Sequence, residues 1–120
     1  MADANEHLDK IMQELRRGTI TIGALSQLSE PQYGYSLVTM LHEKGIHVEP
    51  GTLYPLLRRL EKQGLLDSTW DTNESRPRKY YVLSKTGKEV FDLLVVEWKN
   101  IAASMDQVIE NKRGDENGDD

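Results

Sequence analysis

The sequence predicts a mostly helical domain with one small β-hairpin and a long helix at its C-terminal end. Three observations support this fold class. Apolar residues recur every three or four positions before Gly64, they alternate with polar residues between Leu66 and Leu83, and the helical spacing returns over about residues 86–110. The length of 120 residues suits a single domain with one hydrophobic core.

The first predicted helix covers about residues 6–28, where leucine and isoleucine repeat at helical spacing. Gly18 is expected to weaken this helix near its middle, because glycine is a poor helix former. Pro31 follows the helix and cannot continue it. The second predicted helix covers roughly residues 34–44 and ends at Gly45, since glycine adopts the positive φ of a helix C-terminus without strain.

The third predicted helix covers roughly residues 51–63, and Gly64 ends it. Pro55 places its start at Gly51 or Thr52, because proline is tolerated in a first helical turn, whose N–H groups have no partner within the helix. The residues that face the core are Leu53, Leu57 and Leu60.

Two β-strands follow the third helix. Apolar and polar residues alternate over residues 66–70, and residues 79–83 are rich in β-prone side chains. The segment 71–77 between them is polar, so the sequence predicts a hairpin with a basic tip. The last predicted helix begins near Thr86, which is three residues before Glu89 and is therefore a candidate for a capping box.

The last helix carries a heptad-like apolar seam. Its residues follow steps of three and four and are Phe91, Leu94, Trp98, Ile101, Met105 and Val108. A helix of this length spans about 37 Å, which is more than a small helix–hairpin domain covers. A second copy of the chain is the simplest partner for the exposed stripe, so the sequence predicts a homodimer.

The composition argues against several classes of protein. Cysteine is absent, which excludes disulfide frameworks, zinc ribbons and cysteine nucleophiles. His7, His42 and His47 show no metal-ligand spacing, and we find no catalytic Ser-His-Asp order, phosphate loop or dinucleotide fingerprint. No signal peptide begins the chain, and no apolar run approaches the ~20 residues that cross a bilayer. We expect a cytoplasmic protein that is not an enzyme and has no cofactor or metal.

The charge is unevenly distributed along the chain. The net charge is −5, but residues 51–88 hold eight basic and four acidic side chains, a net +4, so the remainder carries −9. Binding to phosphates requires local positive potential and not a basic protein. Solvated charged faces are the alternative interpretation of this pattern.

The sequence thus predicts three helices, then a basic hairpin and then a long helix. This is the element order of a winged helix-turn-helix protein. In that arrangement the third helix enters the major groove of DNA and the hairpin, or wing, lies along the backbone or minor groove. We therefore divide the chain into a DNA-binding domain (1–85, including the first helix), a dimerisation helix (86–110) and an acidic tail (111–120) that we expect to be disordered.

Ten residues are candidates for DNA contacts. They are Tyr35, Thr52, Tyr54, Pro55, Arg58, Arg59, Lys62, Arg76, Arg78 and Lys79. Arg58 and Arg59 suit guanine or phosphate, and three cations around Pro77 suit phosphates. The alternative for the third helix is an ordinary solvated face, whose cations pair with Glu61 and Glu43. The alternative for the wing is a charged hairpin tip that only keeps the sheet edge soluble.

Several motifs resemble the PadR family of transcriptional regulators. They are the segments 33–35 (YGY), 51–61 (GTLYPLLRRLE), 64–66 (GLL) and 78–84 (RKYYVLS), within a resemblance that covers about residues 8–110. The single C-terminal helix is similar to that of the short members of this family. The resemblance implies a sequence-specific, DNA-binding regulator of the winged-helix fold, which represses nearby genes as a homodimer and leaves a pseudo-palindromic operator when a small effector binds.

The resemblance also implies roles for the first and last helices. The last helix would pack on the partner's first helix, so that Leu8, Ile11 and Leu15 join the dimer interface. Trp98 is similar in position to a tryptophan of multidrug-responsive members that stacks on flat aromatic compounds, and Leu8, Met12 and Leu15 would line the same pocket. Plain dimer packing is the alternative for Trp98. For the whole protein, the alternative function is a winged-helix adaptor that binds proteins and not DNA.

Overall fold

The chain is mostly helical in a computed structural model that describes residues 2–73 and 75–118. Its elements, in chain order, are α1 (Ala2–Ser26), β1 (Gln32–Tyr33), α2 (Gly34–Glu43), α3 (Pro50–Lys62), β2 (Leu66–Asp71), β3 (Arg78–Leu83) and α4 (Lys85–Gly118). The predicted fold class, a mostly α-helical winged helix-turn-helix with a β-hairpin and a long C-terminal helix, is confirmed.

α1 is one continuous helix, and the expected weakness at Gly18 stays a prediction. The helix passes through this glycine without a break. A single glycine costs only about 1 kcal/mol relative to alanine, which the other residues of a long helix offset. The C-terminal half of α1 is held in the core by Ala24, Leu25 and, just after the helix, Leu28.

The sheet has three strands and not the predicted two. β1 pairs with β3, with Gln32 opposite Tyr81 and Tyr33 opposite Tyr80, so the strand order is β1-β3-β2. A strand of two residues is too short to show alternation, which is why sequence periodicity missed it. The third strand ties the start of α2 to the wing.

α3 begins earlier than predicted. Its first residue is Pro50, so Pro55 is its sixth residue and lies inside the helix instead of in the first turn. The carbonyl of Glu49 accepts hydrogen bonds from the N–H groups of Thr52 and Leu53, both at 2.9 Å. Pro55 itself is exposed on α3.

Ser84, and not Thr86, caps the start of α4. The Ser84 hydroxyl accepts a hydrogen bond from the N–H of Gly87 at 2.9 Å and donates one to the carbonyl of Gly64 at 2.6 Å. The predicted capping box at Thr86 is therefore wrong, because the helix begins one residue earlier, at Lys85. One side chain thus joins the end of α3 to the start of α4.

The far end of α4 also differs from the expectation. The helix continues through Gly118, eight residues beyond the predicted end at Glu110, and the expected disorder of the tail stays a prediction. No proline interrupts this segment, and a helix needs only backbone hydrogen bonds to continue. Residues 119 and 120 of the expected tail lie outside the described residues.

One hydrophobic core joins α1, α2, α3 and the sheet. Its fully buried leucines are Leu25, Leu28, Leu37, Leu41, Leu53 and Leu57. Phe91 and Leu94, at the start of α4, pack against this core from outside. The N–H of Leu83 donates to the carbonyl of Leu28 at 2.8 Å, which fixes the wing to the end of α1. The core therefore holds α3 and the wing in a fixed relation.

Candidate nucleic-acid interface

α3 turns one face to the core and leaves the opposite face open. Its four leucines are buried, whereas every predicted contact residue on it is exposed: Thr52, Tyr54, Pro55, Arg58, Arg59 and Lys62. The chain thus presents a helix with a polar, cationic outer face on a rigid support. That is the arrangement required of a helix that enters the major groove.

The two flanks of α3 border different surfaces. Tyr54 and Arg58 line a cleft of about 290 Å³ that reaches the wing residues Trp70 and Arg78. Thr52 and Arg59 line a second cleft, of about 560 Å³, on the side of α1. Adjacent helical residues are about 100° apart, so Arg58 and Arg59 point to opposite flanks. The sequence analysis assigned the same role to both arginines, whereas the structure shows that they border different clefts.

The start of α2 lies directly against α3. A Cβ atom on Gly34 would overlap the ring of Tyr54, so the ring would have to shift if any other residue stood there. Tyr35 follows and is 64% exposed beside the same cleft. The Ser36 hydroxyl donates to the carbonyl of Tyr33 at 2.8 Å and fixes the first turn of α2. Tyr35 is thereby held next to the exposed face of α3.

The wing presents cations beside aromatic rings. The Arg78 guanidinium lies 4.5 Å from the centre of the Tyr33 ring, which itself contacts Tyr80 edge to face at 5.6 Å. Arg76 is exposed in the loop between β2 and β3. Trp70 on β2 is 63% exposed on the same side. Trp70 is absent from the ten residues predicted for DNA contacts, although the sequence shows an aromatic side chain in the basic hairpin.

Lys79 differs from the other predicted contact residues because it is paired within the chain. Its ammonium lies 2.9 Å from a carboxylate oxygen of Glu61, whose other oxygen accepts a hydrogen bond from the Ser68 hydroxyl. The hydrogen bond from Ser68, and then the one from Lys79, lowers the pKa of Glu61. The hydrogen bond to Glu61 raises the pKa of Lys79. The pair links the wing to α3. Because the carboxylate of Glu61 offsets the positive charge of Lys79, this lysine attracts the phosphates of DNA less strongly.

The exposed arginines of α3 are not paired as the solvated-face alternative proposed. In the described part of the chain, Arg58, Arg59 and Lys62 form no ion pair with a carboxylate, and Glu61 is engaged by Lys79. Their charges face solvent on a surface that also includes Arg76 and Arg78 of the wing. Such a surface attracts the phosphates of a duplex, and an arginine can also donate two hydrogen bonds to guanine.

The residues predicted for the dimer and the effector lie on α1 and α4. Leu8, Ile11 and Leu15 on α1, and Ile101, Met105 and Val108 on α4, are each between 50% and 62% exposed. Trp98 is 39% exposed, and Met12 is half-buried. Phe91 and Leu94 instead pack against the core of their own chain, so their part in a dimer interface stays a prediction.

The described residues contain neither a candidate membrane-spanning helix nor a candidate metal-binding cluster. Among residues 2–73 and 75–118, no helix is long and apolar enough to cross a membrane. The same residues contain no cluster of three or more side chains that could hold a metal ion.

Comparisons with known proteins agree with this geometry. The model of the transcriptional regulator PadR-like family matches residues 22–93, which include α2, α3 and the wing. The transcriptional regulator Rv3488 of Mycobacterium tuberculosis is 35% identical over 78 residues, covering 64% of this chain and 73% of that protein.

Two crystal structures show the same fold. A PadR family transcriptional regulator from Eggerthella lenta is 43% identical, with a TM-score of 0.86, covering 92% of this chain and 98% of the other. A PadR family regulator from Clostridium difficile is 30% identical, with a TM-score of 0.68, covering 75% and 97%. The chain therefore belongs to the PadR-like family of transcriptional regulators: it is a DNA-binding winged helix-turn-helix protein and not an enzyme.

Proposed function

We propose that this regulator is a cytoplasmic homodimeric repressor that releases its operator when a flat aromatic compound binds between its subunits. The observation that carries the proposal is the apolar face that α1 and α4 leave uncovered. Its most exposed members are Leu8, Ile11, Leu15, Ile101, Met105 and Val108. Soluble monomers rarely expose contiguous apolar patches of this kind.

The length of α4 supports a second chain as the partner. The helix has 34 residues, and the residues by which its described part packs on the core, Phe91 and Leu94, lie near its start. Beyond that point Trp98, Ile101 and Met105 continue the same stripe with steps of three and four. This is the spacing of helices that pack together along their length. A dimer would also place two α3 helices on one duplex, with half-sites about one helical turn apart.

We expect Met105→Asp to separate the proposed dimer. Because a two-fold interface contains the residue twice, two carboxylates would be buried without partners. The mass in solution should fall from twice 13.7 kDa to 13.7 kDa, which sedimentation measures directly. Operator binding should weaken by roughly 100-fold, since two linked half-sites gain that much from avidity.

Val96→Asp is the matched control for this variant. Val96 is 56% exposed and lies nine residues before Met105, which places it on the opposite side of α4. It should leave the mass and the operator affinity unchanged. A dimer that survives Met105→Asp, or an equal loss with Val96→Asp, would contradict the proposed interface.

Release by an effector is tested through Trp98. The chain has two tryptophans, so Trp70→Phe leaves Trp98 as the only tryptophan to report binding. We expect flat aromatic compounds, with anilinonaphthalene sulfonate as the first probe, to quench this fluorescence and to weaken operator binding over the same concentrations. A ligand shifts the equilibrium only if it prefers the free form of the protein. Quenching with no change in operator affinity would rule that compound out as an inducer.

Repression is tested by placing the operator upstream of a reporter gene. Expression of the chain should lower reporter activity, and Met105→Asp should restore it. Activation by the chain would contradict a repressor. The Val96→Asp variant should repress as the unmodified protein does.

A further inference from the structure

The cleft between α1 and α3 is a second basic surface beside the DNA-entering helix. Arg16 and Arg17 of α1 line it together with Arg59 and Thr52 of α3. Its volume is about 560 Å³, and it lies on the flank of α3 that faces away from the wing. The pattern of charge along the sequence gave no sign of it, because Arg16 and Arg17 belong to the acidic part of the chain.

The charges in this cleft are poorly compensated. Three guanidinium groups line it, and the carboxylate of Glu49 is its one acidic side chain among the residues that the structure describes. No ion pair joins Arg16, Arg17 or Arg59 to a carboxylate within residues 2–73 and 75–118. A guanidinium does not lose its proton in proteins, so these like charges raise the local potential at every physiological pH. A ligand with several anionic oxygens would relieve their repulsion.

The position of the cleft indicates which anion it fits. The major groove is about 12 Å wide, close to the diameter of a helix, and a phosphate backbone runs along each of its sides. In a winged-helix complex the wing, which carries Arg76 and Arg78, lies along one backbone. Arg16 and Arg17 lie on the other flank of α3, next to Arg59, where the second backbone would pass.

We propose that Arg16 and Arg17 bind the phosphate backbone on the side of the major groove opposite the wing, so that α1 is part of the DNA interface. α3 then enters the groove between two cationic walls. The inference rests on DNA binding by the family fold and is independent of repression, dimerisation and the effector. Because phosphates carry no sequence information, the contact positions the protein without selecting bases.

The test compares Arg16→Gln, Arg17→Gln and the double variant with the unmodified protein on fluorescent duplexes of ~30 bp, about three helical turns. Binding is followed by anisotropy over a series of salt concentrations, on operator and random DNA. Each lost phosphate contact should reduce the slope of log affinity against log salt by about 0.9, and the double variant by about 1.8. The weakening should be similar on both duplexes.

The charge-matched control is the double variant Lys99→Gln, Lys112→Gln, which removes two exposed cations from α4. It should keep the salt slope of the unmodified protein. Circular dichroism confirms that the variants fold, which we expect because Arg16 and Arg17 are exposed. A slope that is unchanged in the arginine variants, or reduced equally in the control, overturns the proposal.

A free phosphorylated compound is the other source of the same anion. The experiment therefore has a second arm, in which inorganic pyrophosphate is titrated against the thermal stability of the protein without DNA. Saturable stabilisation that Arg16→Gln and Arg17→Gln abolish, together with an unchanged salt slope on DNA, would assign the cleft to a small ligand and refute the backbone contact.

Discussion

Gly87→Ala is expected to lower the free energy of unfolding by about 3 kcal/mol or more. Gly87 is in the first turn of α4, and its Cα faces the turn between α3 and β2. A Cβ atom there would overlap the backbone carbonyl of Leu65, and its next neighbours are the carbonyl carbon of Leu65 and the side chain of Leu83. A backbone atom cannot rotate away as a side chain can, so α4 would have to move. Urea denaturation at fixed protein concentration measures the loss.

Gly18→Ala is the matched control, because both glycines lie within helices. A Cβ atom at Gly18 would have no neighbour within 4 Å, and the residue stands in the middle of α1. Here alanine should raise the free energy of unfolding by roughly 0.5–1 kcal/mol, since it favours the helix and restricts the unfolded chain. If Gly87→Ala retained the stability of the unmodified protein, the close contact between α4 and the turn after α3 would be refuted.

Arg58→Ala is expected to weaken operator binding by about 1–3 kcal/mol more than binding to random DNA, which is roughly 5- to 150-fold in affinity. The physical reason is that Arg58 lies on the exposed face of α3 on the flank of the wing, without a carboxylate partner among the described residues. An arginine in this place can donate two hydrogen bonds to a guanine. Anisotropy titrations with the two duplexes at the same salt concentration measure the difference.

Arg59→Ala serves as the comparison for Arg58→Ala. The two residues are neighbours of the same type, but Arg59 faces the α1 cleft. We expect its loss to weaken operator and random DNA about equally, as the removal of a phosphate contact does. Equal losses for Arg58→Ala on the two duplexes would reduce Arg58 to a phosphate contact and contradict its role in reading a base.

The elements of the fold could be predicted because each follows a local pattern. The four helices show apolar residues at helical spacing, and the wing shows alternation followed by a run of β-prone residues. Where the predictions were wrong, tertiary contacts decided the result. β1 exists because Gln32 and Tyr33 pair with β3, and α4 begins at Lys85 because Ser84 reaches Gly64.

The exposed face of α3 was predictable because its leucines recur at helical spacing on one side, which leaves the arginines on the other side. The surroundings of that face were not. Arg16 and Arg17 are more than forty residues from Arg59 in sequence, so only the packing of α1 on the core brings them to the same cleft. Likewise, no pattern in the sequence indicates that Lys79 would pair with Glu61.

The apolar seam of α4 illustrates a limit of periodicity. Phe91 and Met105 follow the same heptad spacing, yet the first packs on its own core and the second is half exposed. Spacing shows which residues share a side of a helix. It does not show at which residue the helix stops packing on the core of its own chain. The length of the core below the helix sets that boundary.

The exposed face of α3 and the cations beside it are expected to bind DNA in a sequence-specific manner. The most direct measurement is a gel-shift titration of the purified protein against its own upstream DNA, with random DNA as competitor, at two salt concentrations. We expect tight binding that resists the competitor and weakens steeply as salt rises. Binding that random DNA displaces equally well, or that does not respond to salt, would contradict the account.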